Sequence, residues 1–223
     1  MAIPYRNIHN CAQLIALVDE IGFLPLLRVG ISGWSAEEQV APECNYTPLP
    51  DGGWDWPLWQ WKGEVIQESG CAYGKLLQGK AAFVSKSLWP HFCHWRRSKY
   101  PVADGSIDDM ILSVLREQGS MTTRDLRAAC GFVGPKMRGR FDTFLTRLER
   151  SCHVVISDFV YSHDRHGRPY GWGQSLLATP ESLFGRAACH PSCSPQESYS
   201  IIERHMSSLF PDAGPEGVAM MLR

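Results

Sequence analysis

The stretch GRFDTFLTRLERSCHVVISDFVYSHDRHGRPYGWG (residues 139–173) decides the fold, because its pattern changes midway from helical to strand-like. In the first half, apolar residues recur at i, i+3, i+4 and i+7, which predicts a helix over about residues 140–152. The apolar stripe consists of Phe141, Phe144, Leu145 and Leu148. The opposite face carries Arg140, Thr143, Arg147 and Arg150, and the segment before the helix adds Lys136 and Arg138. The sequence therefore predicts a helix that is buried on one side and basic on the other.

The second half predicts a β-hairpin with a charged tip. HVVISDFVYS (153–162) and PYGWGQSLLA (169–178) have strand character, and HDRHGR (163–168) between them forms the turn. Gly167 permits the positive φ that a tight hairpin needs. Arg165 and Arg168 supply charge at the tip, and His166 lies between them. His163 and His166 are close in sequence but lack further ligands, so the stretch does not predict a metal site.

Two shorter helices are predicted upstream of this segment. Ser106 can cap a helix that runs to about Gln118 and that Gly119 ends. Its predicted buried stripe is Met110, Ile111, Val114 and Leu115. Thr122 or Thr123 can cap the second helix, RDLRAAC (124–130). Three helices followed by a basic hairpin are the layout of a winged helix-turn-helix, whose third helix enters the DNA major groove while the hairpin, or wing, lies on the backbone.

This layout makes duplex DNA the expected partner. The planar fork of arginine binds phosphate or guanine in bidentate fashion, which suits both the third helix and the wing. The predicted nucleic-acid contacts are Lys136, Arg138, Arg140, Thr143, Arg147, Arg150, Arg165, His166 and Arg168. The alternative is a winged helix that serves as a protein–protein platform, in which the third helix is often not basic.

The composition is that of an ordinary globular protein, with 223 residues, 44% hydrophobic, 20% charged and a formal net charge of -1. The charge is unevenly spread: residues 1–60 hold two basic and seven acidic side chains, whereas residues 124–150 hold seven basic and three acidic ones. No signal peptide or membrane span is recognisable, so we expect a cytoplasmic protein whose eight cysteines are free thiols. Cys189 and Cys193 lack two further ligands at zinc spacing, and the sequence predicts neither a metal nor a cofactor.

The N-terminal part predicts a second, α-rich lobe. Asn10 can cap a helix over about residues 11–21, Ser35 opens a short helix, and Asp55 can cap a helix through Glu68. Four tryptophans lie at positions 54, 56, 59 and 61. Tryptophans at this density either pack lobes together or form a stacking platform for bases. The candidate pocket consists of Trp56, Trp59, Tyr73 and Arg96.

The predicted class is mainly α with small β-wings (α+β), as a winged helix-turn-helix with tandem winged-helix-like lobes. The predicted divisions are an N-terminal lobe at 1–103, the winged helix at 104–180, and a tail at 181–223 whose helix runs from Pro195 to about Phe210 and packs on the body. No internal repeat is visible in the sequence.

Five segments resemble the AlkZ-related group of bacterial proteins, which is similar to the AlkZ-type winged-helix DNA glycosylases. They are VDEIGFLPLL, WPLWQWKGEVIQESGCAYGK, GKAAFVSKSLWPHF, WRRSKYP, and YGWG followed by TPESLFG. The resemblance implies a tandem winged-helix architecture that cradles duplex DNA. In the glycosylases a Gln-x-Gln or Gln-x-Asp motif positions the attacking water, but this sequence contains neither. The equivalent stretch offers Phe23, Leu24 and Pro25, and phenylalanine and leucine cannot activate water.

The leading hypothesis is therefore a DNA-binding protein related to DNA-repair glycosylases, with enzymatic activity left open. One alternative is an active glycosylase that uses other residues and flips a base into an aromatic pocket. The others are a transcription regulator, which would usually be a dimer, and a protein-interaction scaffold. The oligomeric state and the residues of any catalysis stay open at this point.

Overall fold

Two successive units of the chain contain helices and strands in the same order. The structure is a computed structural model that describes residues 3–50, 53–163, 165–167 and 169–223. The first unit consists of α1 (Cys11–Ile21), β1 (Phe23–Pro25), α2 (Ala36–Gln39), β2 (Thr47–Pro48), β3 (Trp54–Asp55), α3 (Pro57–Ser69), β4 (Ala72–Leu77) and β5 (Lys80–Val84). Its three-stranded antiparallel sheet has the order β1-β5-β4, and β2 and β3 form a separate two-stranded ribbon between α2 and α3.

The second unit follows α4 (Trp89–Lys99). It consists of α5 (Ile107–Gln118), β6 (Met121–Thr122), α6 (Thr123–Ala129), α7 (Pro135–Arg150), β7 (Val155–His163) and β8 (Pro169–Ala178). The sheet order is β6-β8-β7, so the first strand again pairs with the third. Apart from the ribbon, both units therefore follow the order helix, strand, helix, helix, strand, strand. The repeat lies in topology, where apolar spacing matters more than residue identity, and this explains why the sequence shows no repeat.

Three helices complete the fold: α8 (Pro180–Phe184), α9 (Pro195–Leu209) and α10 (Gly214–Met221). The predicted α9 is confirmed, and it begins with a capping box between Ser194 and Glu197. It packs against α4. The eight cysteines are all free, as predicted. In the part of the chain that the structure describes, no helix has the length and apolar character to cross a membrane.

Capping patterns located several boundaries correctly. Asn10, Ser35 and Ser106 cap α1, α2 and α5 through their side chains. The second hairpin strand begins at Pro169 as predicted, and the first ends at His163, one residue later than predicted. Helices dominate and every sheet is small, which is compatible with the expected α+β class.

Other boundaries were predicted wrongly. The third helix of the second unit begins at Pro135 rather than near Arg140, because Pro135 occupies the first helical position and lacks a backbone N–H that needs a partner. Trp56, not Asp55, precedes α3, again with a proline at the first position. Met110 is 40% exposed, and Leu112 takes its place in the buried stripe of α5.

The two units pack reciprocally. Helix α3 of the first unit lies against β7 of the second, and α7 of the second lies against β4 of the first. In each contact a helix side chain forms a hydrogen bond with the strand backbone. Gln67 Nε2 of α3 donates to the Ser157 carbonyl of β7 at 2.7 Å. Lys75 N of β4 donates to Glu149 Oε1 of α7 at 3.2 Å. The apolar residues of both units join in one continuous core. This arrangement holds α7 and the β7–β8 hairpin in a fixed relation to the first unit.

Candidate nucleic-acid interface

The outer face of α7 carries the polar residues predicted for it except Arg138, which is exposed on the other side of the first turn, about 200° around the helix axis from Lys136. The exposed side chains on this helix include Lys136, Arg138, Arg140, Thr143, Arg147 and Arg150. From Lys136 to Arg150 they extend over about 20 Å of helix, at about 1.5 Å per residue. The opposite stripe, Phe141, Leu145 and Leu148, is buried. The structure thus brings all the predicted residues of α7 to the protein surface.

Arg147 is held in place by a carboxylate from α5. Its Nε donates to Asp108 Oδ2 at 2.7 Å, and its guanidinium lies 4.9 Å from the Phe144 ring centroid. Asp108 Oδ1 is buried and has no hydrogen-bond partner among the described residues. The pair fixes the direction of Arg147 and neutralises part of its charge.

The hairpin tip carries a smaller basic group. Arg165 and His166 are exposed, and Arg165 Nε donates to His166 Nε2 at 3.0 Å. Gly167 has the predicted positive φ, at 76°. Arg168, the last predicted contact, lies outside the described residues.

Aromatic side chains join the first unit to the flank of the hairpin. Trp54 stacks on Trp172 with ring centroids 4.7 Å apart, and Trp59 meets Trp172 edge-on at 5.3 Å. Trp59 Nε1 also donates to the Trp172 carbonyl at 3.2 Å, and Trp56 stacks behind Trp59 at 5.0 Å. The tryptophans therefore pack the two units together. Trp172 did not enter the predicted set, although its setting between two glycines in a strand was a signal.

A cleft of about 720 Å³, here called the aromatic cleft, opens between α3 and the hairpin. Its lining consists of Gly53, Trp54, Trp59, Gln60, Gly63, Glu64, Gln67, Glu68, Asp158, Tyr161 and Gly171. Of the four residues predicted to share a pocket, Trp59 lines this cleft and Trp56 is buried behind it. Tyr73 lies in the core against Phe83, and Arg96 lines a different cleft. The structure does not bring these four side chains together.

Lys62 lies buried beneath the wall of the aromatic cleft. Its Nζ donates to the Trp59 carbonyl at 2.8 Å and to the Tyr161 hydroxyl at 3.2 Å. The ammonium also lies 3.8 Å from the Trp59 ring centroid and 4.0 Å from that of Phe159. Burial lowers the pKa of Lys62 to about 7. Lys62 thus orients Trp59 and Tyr161. Among the described residues, no carboxylate forms an ion pair with it.

A second cleft, of about 620 Å³, lies beside the C-terminal half of α7 and is here called the arginine cleft. Its lining consists of Arg96, Tyr100, Asp142, Thr143, Thr146, Arg147, Arg150 and Ser151. It shares no lining residue with the aromatic cleft. Within the described residues, no three His, Cys, Asp or Glu side chains lie close enough to hold a metal ion together.

The sequence profile of the AlkZ-related family matches residues 8–223, a range that contains both units and both clefts. The chain belongs to the AlkZ-related family. No curated protein and no solved structure matches the chain. For this AlkZ-related protein, the assignment of roles to residues therefore depends on geometry and chemistry.

Proposed function

We propose that this AlkZ-related protein binds duplex DNA through α7 and the β7–β8 hairpin. The observation that carries the proposal is the row of exposed basic residues on α7, with a second basic group at the hairpin tip. Phosphate contacts of this kind supply most of the affinity of non-specific DNA binding. The order α5, β6, α6, α7, β7, β8 is consistent with a winged helix-turn-helix, and in this proposal α7 is the recognition helix and the hairpin is the wing.

The repeated element order supports tandem winged-helix lobes, but the two third helices differ in charge. The part of α3 that lines the aromatic cleft carries Glu64 and Glu68, whereas α7 presents arginine and lysine. Carboxylates repel the DNA backbone, so we assign the phosphate contacts to the second lobe and not to α3. The first lobe then positions the second rather than duplicating its function.

Exposure of the basic residues argues against a role as a protein-interaction scaffold alone. The first unit covers the flank of the hairpin at Trp172, but Arg165 and the basic face of α7 stay exposed. A duplex can therefore approach without displacement of the first unit.

The direct test is fluorescence anisotropy with a short random-sequence duplex at several salt concentrations. We expect binding that weakens steeply with salt. A double variant, Lys136→Gln with Arg140→Gln, changes two residues on one face of α7 and should lower the slope of log K against log[salt] by about 2 if each residue contacts one phosphate. Arg204→Gln removes an exposed charge on α9 and serves as the matched control. No binding at low salt, or equal slopes for the double variant and the wild type, would contradict the proposal.

A second candidate function, base removal, is favoured by the lining of the aromatic cleft. Trp54, Trp59 and Tyr161 give the cleft an aromatic wall against which an extruded base could pack, and Glu64, Glu68 and Asp158 offer carboxylates. Carboxylates stabilise an oxocarbenium-like centre and activate water in glycoside hydrolysis. Phe23 and Leu24, at the position of the family's glutamine motif, are fully buried in β1, so catalysis there would have to use this cleft.

Release of free base from an alkylated duplex tests this second function. We expect release by the wild type and its loss in Glu64→Gln or Asp158→Asn, with duplex binding retained in both variants. No release over a panel of lesions while duplex binding stays intact would eliminate base removal and leave DNA binding standing.

A further inference from the structure

The arginine cleft combines several cationic and hydroxyl groups at one place. Arg96 reaches it from α4, while Arg147 and Arg150 reach it from α7. Tyr100, Thr143, Thr146 and Ser151 add hydroxyl groups. Asp142 is the one carboxylate among the described lining residues. Such a lining is chemically suited to an anion.

Arg96 is the unusual member of this set, because it is 2% exposed and yet forms no ion pair among the described residues. Its Nη2 donates to the carbonyls of Leu76, at 3.3 Å, and Leu222. Its Nε is buried and has no hydrogen-bond partner in the described part of the chain. A buried donor without an acceptor costs free energy, and a guanidinium without a counter-anion costs more. An anion that enters the cleft would offset both costs.

Arg150 places a second cation near Arg96. It is exposed, lines the same cleft, and forms no ion pair among the described residues. Burial lowers the pKa of Arg96, and the positive charge of Arg150 lowers it further. Arg147 contributes less, because Asp108 already neutralises it. Two guanidinium groups therefore line one cleft close enough to affect each other's charge, and neither forms an ion pair among the described residues.

Thr146 supplies a hydroxyl donor at the same place. Its Oγ1 accepts from Lys75 Nζ at 3.0 Å, so the hydroxyl hydrogen is left to donate. Lys75 Nζ also lies 3.5 Å from Glu149 Oε2, so its positive charge is paired with that carboxylate and is not counted toward the anion. The last carbonyls of α7 oppose an anion, but Ser151 Oγ donates to the Arg147 carbonyl at 2.8 Å and reduces that effect.

We propose that the arginine cleft binds one phosphate group through Arg96, Arg150 and the Thr146 hydroxyl. Planar guanidinium groups suit phosphate because they donate two parallel hydrogen bonds. The assignment rests on the proposed function in one respect, namely that the phosphate belongs to the backbone of the bound duplex. A free phosphate has the same chemistry, and the cleft is much larger than one phosphate group, which leaves room for attached sugars.

The first arm of the test measures binding of inorganic phosphate to the full chain by isothermal titration calorimetry, with chloride at equal ionic strength as the blank. We expect saturable binding that Arg150→Gln weakens about tenfold, the effect of one lost hydrogen bond to a charged group. Thr146→Val should weaken binding by a smaller factor, and Arg204→Gln should leave it within about twofold, since screened charges at a distance contribute little. Arg96 is left intact because its burial makes a folding defect the expected result of its replacement.

The second arm repeats the duplex titration with the same variants. If the cleft holds a backbone phosphate, Arg150→Gln lowers the salt slope by about 1, and inorganic phosphate competes with duplex more strongly than chloride does at equal ionic strength. Saturable phosphate binding with a duplex affinity that Arg150→Gln does not change would assign the cleft to a free phosphate instead. Phosphate binding without any duplex binding would contradict the proposed DNA-binding function and still support a phosphate site in the arginine cleft. Two results would contradict the proposal that the arginine cleft binds phosphate. One is duplex binding without saturable phosphate binding, and the other is equal phosphate affinity in Arg150→Gln and the wild type.

Discussion

Trp54 lies flat on Trp172, with ring centroids 4.7 Å apart and planes inclined by 10°. The first residue belongs to the ribbon of the first unit and the second to the hairpin of the second unit. The stacked rings join the hairpin of the second unit to the ribbon of the first unit. The contact also forms one wall of the aromatic cleft, because Trp54 lines it.

Replacement of Trp172 should weaken this junction. Trp172→Ala removes the stack on Trp54 and the edge-on contact with Trp59, and we expect the free energy of unfolding to fall by about 1–2 kcal/mol, because the ring is half-exposed. Urea denaturation measures the change, and Tyr5→Ala, at an aromatic residue that is 65% exposed, is the matched control. Equal losses for the two variants would show that the stack does not stabilise the junction.

Lys62 should make stability depend on pH. Since its folded pKa is about 7 and the model-compound value is 10.5, the unfolded chain binds more protons between these two values, and stability attributable to Lys62 rises with pH across that window. We therefore expect Lys62→Met to be more stable than wild type near pH 6, with an advantage that shrinks towards pH 9. Chemical denaturation of both proteins at several pH values measures the difference. If the difference in unfolding free energy between Lys62→Met and the wild type does not change with pH, the pKa of Lys62 in the folded protein is not lowered.

Asp108 should limit the DNA affinity that Arg147 can provide. Asp108→Asn removes the charge that lies against Arg147 Nε, so we expect duplex affinity to rise about two- to fivefold, while stability falls by about 0.5–1 kcal/mol, the size of a partly exposed ion pair. Anisotropy and thermal melting measure the two effects, and Asp212→Asn, which removes an exposed acid elsewhere, is the control. A drop in duplex affinity would mean that the pair positions Arg147 rather than restrains it.

Glu149 should be essential to the packing of α7 on β4. Its carboxylate accepts from Lys75 N at 3.2 Å and is 2% exposed, so Glu149→Ala leaves a buried amide without a partner and is expected to cost about 2–3 kcal/mol. Burial raises the pKa of Glu149, which means that the fold favours a neutral group there. Glu149→Gln keeps an acceptor and should cost less than about 1 kcal/mol. Denaturation curves of both variants measure the loss in unfolding free energy, which should be larger for Glu149→Ala than for Glu149→Gln. Equal losses would show that the charge is required.

The boundaries that the sequence predicted correctly depend on interactions within one turn of chain. Asn10 and Ser106 cap their helices through residues three positions on, and Gly167 adopts positive φ because it has no Cβ. The early start of α7 was missed because its first turn is exposed and carries no apolar stripe. Strand β4 was missed because it is buried on both faces and lacks alternation.

The sequence by itself determined the order of α5, α6, α7 and the hairpin, the basic face of α7 and the charged hairpin tip, because capping, periodicity and turn geometry act over a few neighbouring residues. The tertiary structure alone decided which distant side chains meet. It placed Trp172 against Trp54, moved Tyr73 into the core, and brought buried Arg96 beside Arg150. These contacts depend on the reciprocal packing of the two units. Elements far apart in the chain become neighbours only when the shared core forms, so no local sequence pattern encodes their relative position.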